Sequence, residues 1–191
     1  MAISLPNVAD LDPVQREVYD LFPANLSRGL VMTKASGKPY LALGLSFRTG
    51  ALSPVVRELV ILRIGAITKA QYEIHHHVPE ARVAGVPDSV IDAVLDGAEV
   101  SGERRIDVLI AFVDDLLTQI TGGGGANTAN MQKFFSDNEI AEITLLAGHY
   151  VMTAMFIKTL GIVPESDAAD GSSILAGATA KLQEEQEKDR S

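Results

Sequence analysis

No cysteine occurs anywhere in this chain. That excludes disulfides, thiolate metal sites, iron–sulfur clusters and every mechanism built on a cysteine nucleophile or redox pair. Positive charge is scarce as well: 16 lysines and arginines against 25 aspartates and glutamates give a formal charge of −9. Such a balance argues against unspecific attraction to nucleic acid or to an acidic membrane surface, and neither is expected as a partner. No unbroken run of eighteen apolar residues is present, so no membrane span is expected. The segment Met1–Asn7 lacks the basic region and apolar stretch of a signal peptide, and a cytoplasmic location is the expectation. What remains is a chain of 191 residues, 47% of them hydrophobic, long enough for one domain with a real core and short for two.

The apolar residues recur at helical spacing and almost nowhere alternate as a strand requires, so the expected fold class is all-α. Asp12-Pro13 reads as a cap followed by a first-turn proline, opening a helix through about Phe22. A partly apolar segment from Asn25 to Ala35 follows, then another through Phe47. Ser53-Pro54 opens the clearest helix, with Val56, Leu59, Val60, Leu62, Arg63, Ala66 and Ile67 on a wide, mostly apolar face. An interruption near Thr68-Lys69 leads into a histidine-bearing helix that ends at Ala84-Gly85. Further helices are expected from Pro87-Asp88 to Gly97, from Glu103 to Ile120, from Asn127 to Phe135, and from Glu139 to Leu160 with Ser136 or Asp137 as cap. Gly122 to Gly125 lacks the Lys-Ser/Thr of a nucleotide-binding loop and reads as a connector. Residues from Ile174 to Glu187 are expected as a surface helix or a loose tail. Arg57–Leu62 echoes Ala141–Leu146, with an aromatic fourteen residues after each glutamate (Tyr72 and Phe156). Either a duplicated helix pair or two core helices under one packing rule would produce that echo.

The chemistry-bearing residues concentrate in Gln71-Tyr72-Glu73-Ile74-His75-His76-His77, which holds three of the four histidines. Consecutive helical side chains turn by about 100°, so the three imidazoles cannot share one face. Glu73 and His77 sit at i and i+4 and do share one, while His75 and His76 are expected to point elsewhere. A carboxylate beside an imidazole moves protons near neutral pH. Glu58, near the start of the preceding helix, is the second candidate acid; its plainer reading is a first-turn stabiliser or a partner for Arg57. Metal binding is the rival use, because Glu73-x-x-His76 has di-iron spacing with Glu58, Glu80 and Glu142 as further donors. A full site of that kind wants two such helices and the chain offers one, so no metal is expected.

Leu52–Arg63, Gln71–His77 and Ala84-Gly85-Val86 together resemble the carboxymuconolactone decarboxylase family, which shares its fold with the alkylhydroperoxidase D proteins. The resemblance implies a single domain with the alkylhydroperoxidase D-like helical bundle. Residues 51–164 would be the helical core, 1–50 an N-terminal helical segment packed on it, and 165–191 a charged tail or surface helix. It also implies assembly as a trimer or hexamer, sites near subunit contacts, a small-molecule substrate and no cofactor. The peroxidase branch carries a glutamate, a Cys-x-x-Cys pair and a histidine. These fall on Glu58, Ala70 and Glu73, and His77, so both sulfurs are absent and thiol peroxidase activity is disfavoured. The decarboxylase branch looks similar to this chain at Glu73 and His77; for such a reaction His77 is the expected proton donor, Glu73 would set its tautomer and hold it charged, and Glu58 would orient a water or proton path. Tyr72 would give a hydrogen bond to substrate and Arg63 would anchor the substrate carboxylate. His77→Ala is expected to lose activity with the fold intact. The same residues would serve an isomerase or lactone hydrolase, and a non-catalytic helical oligomer that binds a small ligand is the alternative outside enzymology.

Overall fold

The helix from Pro54 to Thr68 is apolar on nearly every side, and a helix of that kind has nowhere to go but the centre. In the computed structural model, which describes residues 3–100, 102–165 and Gly177, that helix is the hub of an all-helical fold. A 3-10 turn at Val8–Asp10 precedes α1 (Pro13–Leu21), α2 (Asn25–Leu30), α3 (Gly37–Ser46), α4 (Pro54–Thr68) and α5 (Gln71–Val83). There follow α6 (Asp88–Asp96), α7 (Arg104–Ile120), α8 (Thr128–Met131) and α9 (Asp137–Leu160). No strand occurs among the described residues. Four neighbours, α5, α6, α7 and α9, pack around α4.

The helix starts follow the local chemistry. Asp12 and Ser136 each close a capping box with Gln15 and Glu139, and Ser53 accepts the Val56 amide with Pro54 behind it. Two expected helices are shorter than their apolar pattern. The second stops at Leu30 and continues as turns, and Asn127–Phe135 is helical only over Thr128–Met131. Both lack long amphipathic periodicity, so propagation has little to offset its entropy there. The break near Thr68 is sharp: Lys69 is left-handed at φ 55°, and Ala70 N–H donates to Gly65 C=O at 2.8 Å. This reversal folds α5 back beside α4. α9 runs unbroken from Asp137 to Leu160, so no helix pair is repeated. The echo of Arg57–Leu62 in Ala141–Leu146 reflects two core helices packed on each other.

Two apolar clusters form. The larger joins α4, α6, α7 and α9 through Leu59, Leu62, Leu109, Ile143 and Leu146; the smaller joins α1–α3 to α5 and α9 through Phe22, Leu26, Leu41, Tyr72 and Ile157. Among the described residues only α9 is long and apolar enough to cross a membrane, and it sets Ile143, Leu146 and Ile157 into the core. The expected helix at 174–187 lies outside the described residues.

Candidate active site

Where the two apolar clusters meet, they leave a cavity of about 60 Å³ walled by α3, α4, α5 and α9. The α4–α5 reversal delivers its polar centre. Glu58 is wholly buried, and its Oε2 accepts from His77 Nδ1 at 2.7 Å, while Oε1 accepts from Arg57 Nε at 2.9 Å. On the other side of the ring, His77 Nε2 stands 3.1 Å from the Tyr150 hydroxyl and 3.5 Å from Glu73 Oε2. The second distance is that of an ion pair more than of a close hydrogen bond. Glu73 Oε1 is buried with no hydrogen-bond partner among the described residues.

The electrostatics follow from this packing. Burial alone would raise Glu58, but the charge and hydrogen bond of His77, and then those of Arg57, outweigh it and lower its pKa. Burial likewise opposes a charged His77, yet the Glu58 carboxylate, with Glu73 behind it, raises the imidazole to about 9. His77 is therefore an imidazolium near neutrality, its Nδ1–H fixed on Glu58 and its Nε2–H turned to the cavity side. Tyr150 is pushed up by burial and by Glu73 and Glu58, so its hydroxyl stays protonated.

The far wall carries different chemistry. His149 is buried, stacks on Tyr40 at 4.6 Å between ring centres and leaves Nδ1 without a partner among the described residues. Burial, opposed weakly by Glu73, lowers it to about 4. Tyr40 in turn bonds Thr153 through their hydroxyls. At a third side, His76 Nε2 lies 2.9 Å from Glu165 Oε2, without the alignment of a hydrogen bond. Glu165 Oε1 accepts from the Asn25 amide at 2.6 Å and from the Tyr72 hydroxyl at 3.3 Å. Burial raises Glu165, but the His76 contact and the Asn25 amide bring it down to about 2.

The structure thus brings Glu58, Glu73 and His77 together, with changes of role. Glu58, not Glu73, makes the close contact that sets the His77 tautomer, and it sits behind the ring instead of on the cavity wall. Glu73 lies on the wall at the Nε2 side. Tyr72 also lines the cavity, although its hydroxyl is engaged by the Leu26 amide and Glu165. His76 was expected to point away and instead forms part of the wall, because α5 is covered on two faces, by α4 and by the N-terminal cluster. Arg63, expected as the substrate anchor, does not line the cavity. Its guanidinium binds Asp114 at 2.6 and 2.8 Å and Val94 C=O at 3.2 Å, away from the cavity. Arg48, which pairs with Glu80 at 2.6 Å, is on the wall in its place. The donors of the metal alternative are dispersed as well: Glu80 turns to Arg48, Glu142 to the Ala51 amide, and His76 to Glu165. Among the described residues no three His, Asp or Glu side chains stand together as ligands.

His149, Tyr150, Tyr40 and Arg48 were not singled out from sequence. They arrive on α3 and α9, and the one available signal was the isolated fourth histidine followed by tyrosine.

Comparison with known proteins agrees with this architecture. The model of the carboxymuconolactone decarboxylase family matches residues 40–111, from α3 into α7. A crystal structure titled alkylhydroperoxidase AhpD core, an uncharacterized peroxidase-related protein from Ralstonia eutropha JMP134, superposes with a TM-score of 0.71 at 18% identity. The match covers 86% of this chain and 92% of that one. An uncharacterized peroxidase-related protein from Silicibacter sp. TM1040 gives 0.70 at 17% identity over the same shares. No curated protein matches the chain. Residues 40–111 therefore carry the carboxymuconolactone decarboxylase family pattern, set in an AhpD-like all-helical fold that contains no cysteine.

Proposed function

We propose that this cavity is the active site of a cofactor-free acid–base enzyme acting on a small carboxylated or lactone-type molecule, in the manner of a carboxymuconolactone decarboxylase. The observation that carries the reading is His77, oriented by Glu58 at 2.7 Å, with its second nitrogen beside Glu73 and Tyr150 on the cavity wall. An imidazolium so held is a proton donor of fixed direction. Loss of carbon dioxide from a conjugated lactone sends its electron pair into the lactone carbonyl, so the substrate provides its own electron sink. The protein has to bind the departing carboxylate, stabilise the enolate oxygen and return a proton to carbon. His77 Nε2–H supplies that proton, Tyr150 donates towards the developing oxyanion, and Glu58 stabilises the charge on the ring. Arg48 takes the anchoring role for the substrate carboxylate. The modest cavity and its apolar surround, Leu41, Leu45, Ile61 and Leu146 among them, suit a compact substrate and weaken the solvation of its carboxylate.

The test is carbon dioxide release from a panel of carboxylated unsaturated lactones. Wild-type protein is expected to release it, and His77→Gln to lose about 10²–10⁴-fold. Equal rates in the two proteins would end the assignment.

The same reading includes a homo-oligomer, a trimer or hexamer. Its support is α9, where Ala141, Leu145, Gly148, Met152, Met155 and Thr159 are all exposed and alternate at spacings of four and three. That is the seam of a coiled coil, with Leu145 and Met155 more than half exposed (56% and 66%).

A further inference from the structure

The cavity holds a second imidazole that the acid–base scheme above leaves idle. His149 precedes Tyr150 on α9, is buried, and has no partner for Nδ1 among the described residues. It meets Tyr150 edge-on at 5.5 Å, and His77 meets the same tyrosine ring edge-on at 5.2 Å. One aromatic ring therefore stands against two histidines that line one cavity. Their surroundings are opposite. His77 is held by a carboxylate at 2.7 Å, whereas His149 makes no side-chain hydrogen bond among the described residues and lies on the face of Tyr40. The titratable groups about His149 are Tyr40 from α3, Glu73 from α5 and Tyr150 on its own helix.

A ring nitrogen left unpaired in the interior is costly, and a bound ligand or an ordered water would satisfy it. Gly44 supports the same view. A Cβ at that position would lie 3.0 Å from His149 Nε2, so the bare glycine leaves the imidazole its room on the cavity wall. Two titratable groups of one type, driven to opposite protonation states by their environments, divide naturally into acid and base. Here His77 is the charged one and His149, lowered to about 4, is the neutral one near pH 7.

We propose that His149 is the catalytic base of this cavity, working opposite His77 to move a proton between two carbons of a small enolisable carbonyl compound, a β,γ-unsaturated lactone being the simplest case. The proposal rests on the reading of His77 as the acid. In the step, a neutral His149 nitrogen takes the hydrogen from the carbon next to the carbonyl. That C–H pair forms the dienolate, whose negative charge sits largely on the carbonyl oxygen. The double bond moves to the α,β position as the γ carbon takes a proton from His77 Nε2, forming the new C–H bond. Nothing is oxidised or reduced. His149 is left protonated and His77 neutral, and the proton returns by way of water and the Tyr150 hydroxyl, 3.1 Å from His77 Nε2.

The experiment uses the full chain in D₂O with an uncarboxylated five-membered β,γ-unsaturated lactone, followed by proton NMR. Wild-type protein is expected to place deuterium at both the α and the γ carbon. His149→Gln is expected to lose about 10²-fold or more of the α-carbon labelling, and His77→Gln the same at the γ carbon. Gly44→Ala removes no polar group and its Cβ would meet the His149 ring first, at 3.0 Å, so it should slow α-carbon labelling even if His149→Gln folds poorly by circular dichroism. Wild-type α-carbon labelling no faster than buffer would overturn the proposal, as would a folded His149→Gln protein that labels that carbon at the wild-type rate. Undiminished γ-carbon labelling in His77→Gln would overturn the His77 assignment, and the proposal with it.

Discussion

Two histidines in one small space, both buried, carry opposite consequences for stability, and pH separates them. Burial opposes a charged His77, but Glu58 raises it to about 9 from 6.5. Its contribution is therefore fully present below pH 6.5 and is lost as pH rises towards 9. Burial lowers His149 from 6.5 to about 4, so the unfolded chain binds that proton first and stability is lost as pH falls through that interval. Glu58 and Glu165, both lowered, add to the loss below pH 4.5. The thermal midpoint is expected to peak near pH 6.5 and to decline on both sides. The alkaline limb should flatten in His77→Gln and the limb between pH 6.5 and 4 in His149→Gln; a wild-type midpoint level from pH 4 to 9 would contradict both assignments. The same cluster corrects the expectation that His77→Ala is structurally harmless. Removing the ring leaves the wholly buried Glu58 with Arg57 alone, and losing one partner of a buried ion pair costs about 3–5 kcal/mol. Urea denaturation should show His77→Ala well below His77→Gln, whose amide can still donate to Glu58.

At the scale of elements, Arg63 ties three helices together. It projects from α4, forks onto Asp114 of α7 and reaches the Val94 carbonyl near the end of α6. Its guanidinium lies over Gly97, the left-handed cap of α6 at φ 72°, where a Cβ would stand 2.7 Å from a terminal nitrogen. Gly97→Ala therefore meets strain and crowding together and is expected to cost at least about 1 kcal/mol. Arg63→Met keeps most of the stem but leaves Asp114 and Val94 C=O unpaired, and about 1–3 kcal/mol is the expected loss. Both should lower the denaturation midpoint and leave His77-dependent carbon dioxide release per folded molecule unchanged. A selective loss of activity in Arg63→Met would restore its role as substrate anchor.

For the whole molecule, the exposed apolar face of α9 is the feature that bears on assembly. Its inner face fills the core with Ile143, Leu146 and Ile157, while Leu145, Met152 and Met155 stay on the surface. The shallow depression formed by Leu145, Gly148 and Met152 reaches His149, so the exposed seam and the cavity share one side chain. A second copy seated there would close the outer side of the site. Light scattering of the full chain is expected to give an oligomer, and Met155→Glu a smaller species, since a buried like-charge pair at a seam position is strongly unfavourable. A wild-type monomer at micromolar concentration would remove the oligomer from the proposal.

Residue order alone was enough for the helical class, because apolar spacing, the caps at Asp12, Ser53 and Ser136, and the stops at Gly97 and Gly161 are local signals. The missing cysteines needed no coordinates to exclude thiol chemistry. The pairing of Glu58 with His77 was half legible: both residues stood out, but nineteen positions and a left-handed Lys69 separate them, and the short contact depends on how α5 folds back. The fate of Arg63 was not legible, since an arginine on an apolar helix face looks the same whether it meets Asp114 or a ligand. His149, Tyr150 and Tyr40 were hidden for the same reason. They come from helices more than seventy positions away from Glu73 or on the other side of α4, and only packing decides which imidazole lies against a carboxylate and which against an aromatic ring. Local sequence determines where helices begin and end; protonation states belong to the neighbours that tertiary contact supplies.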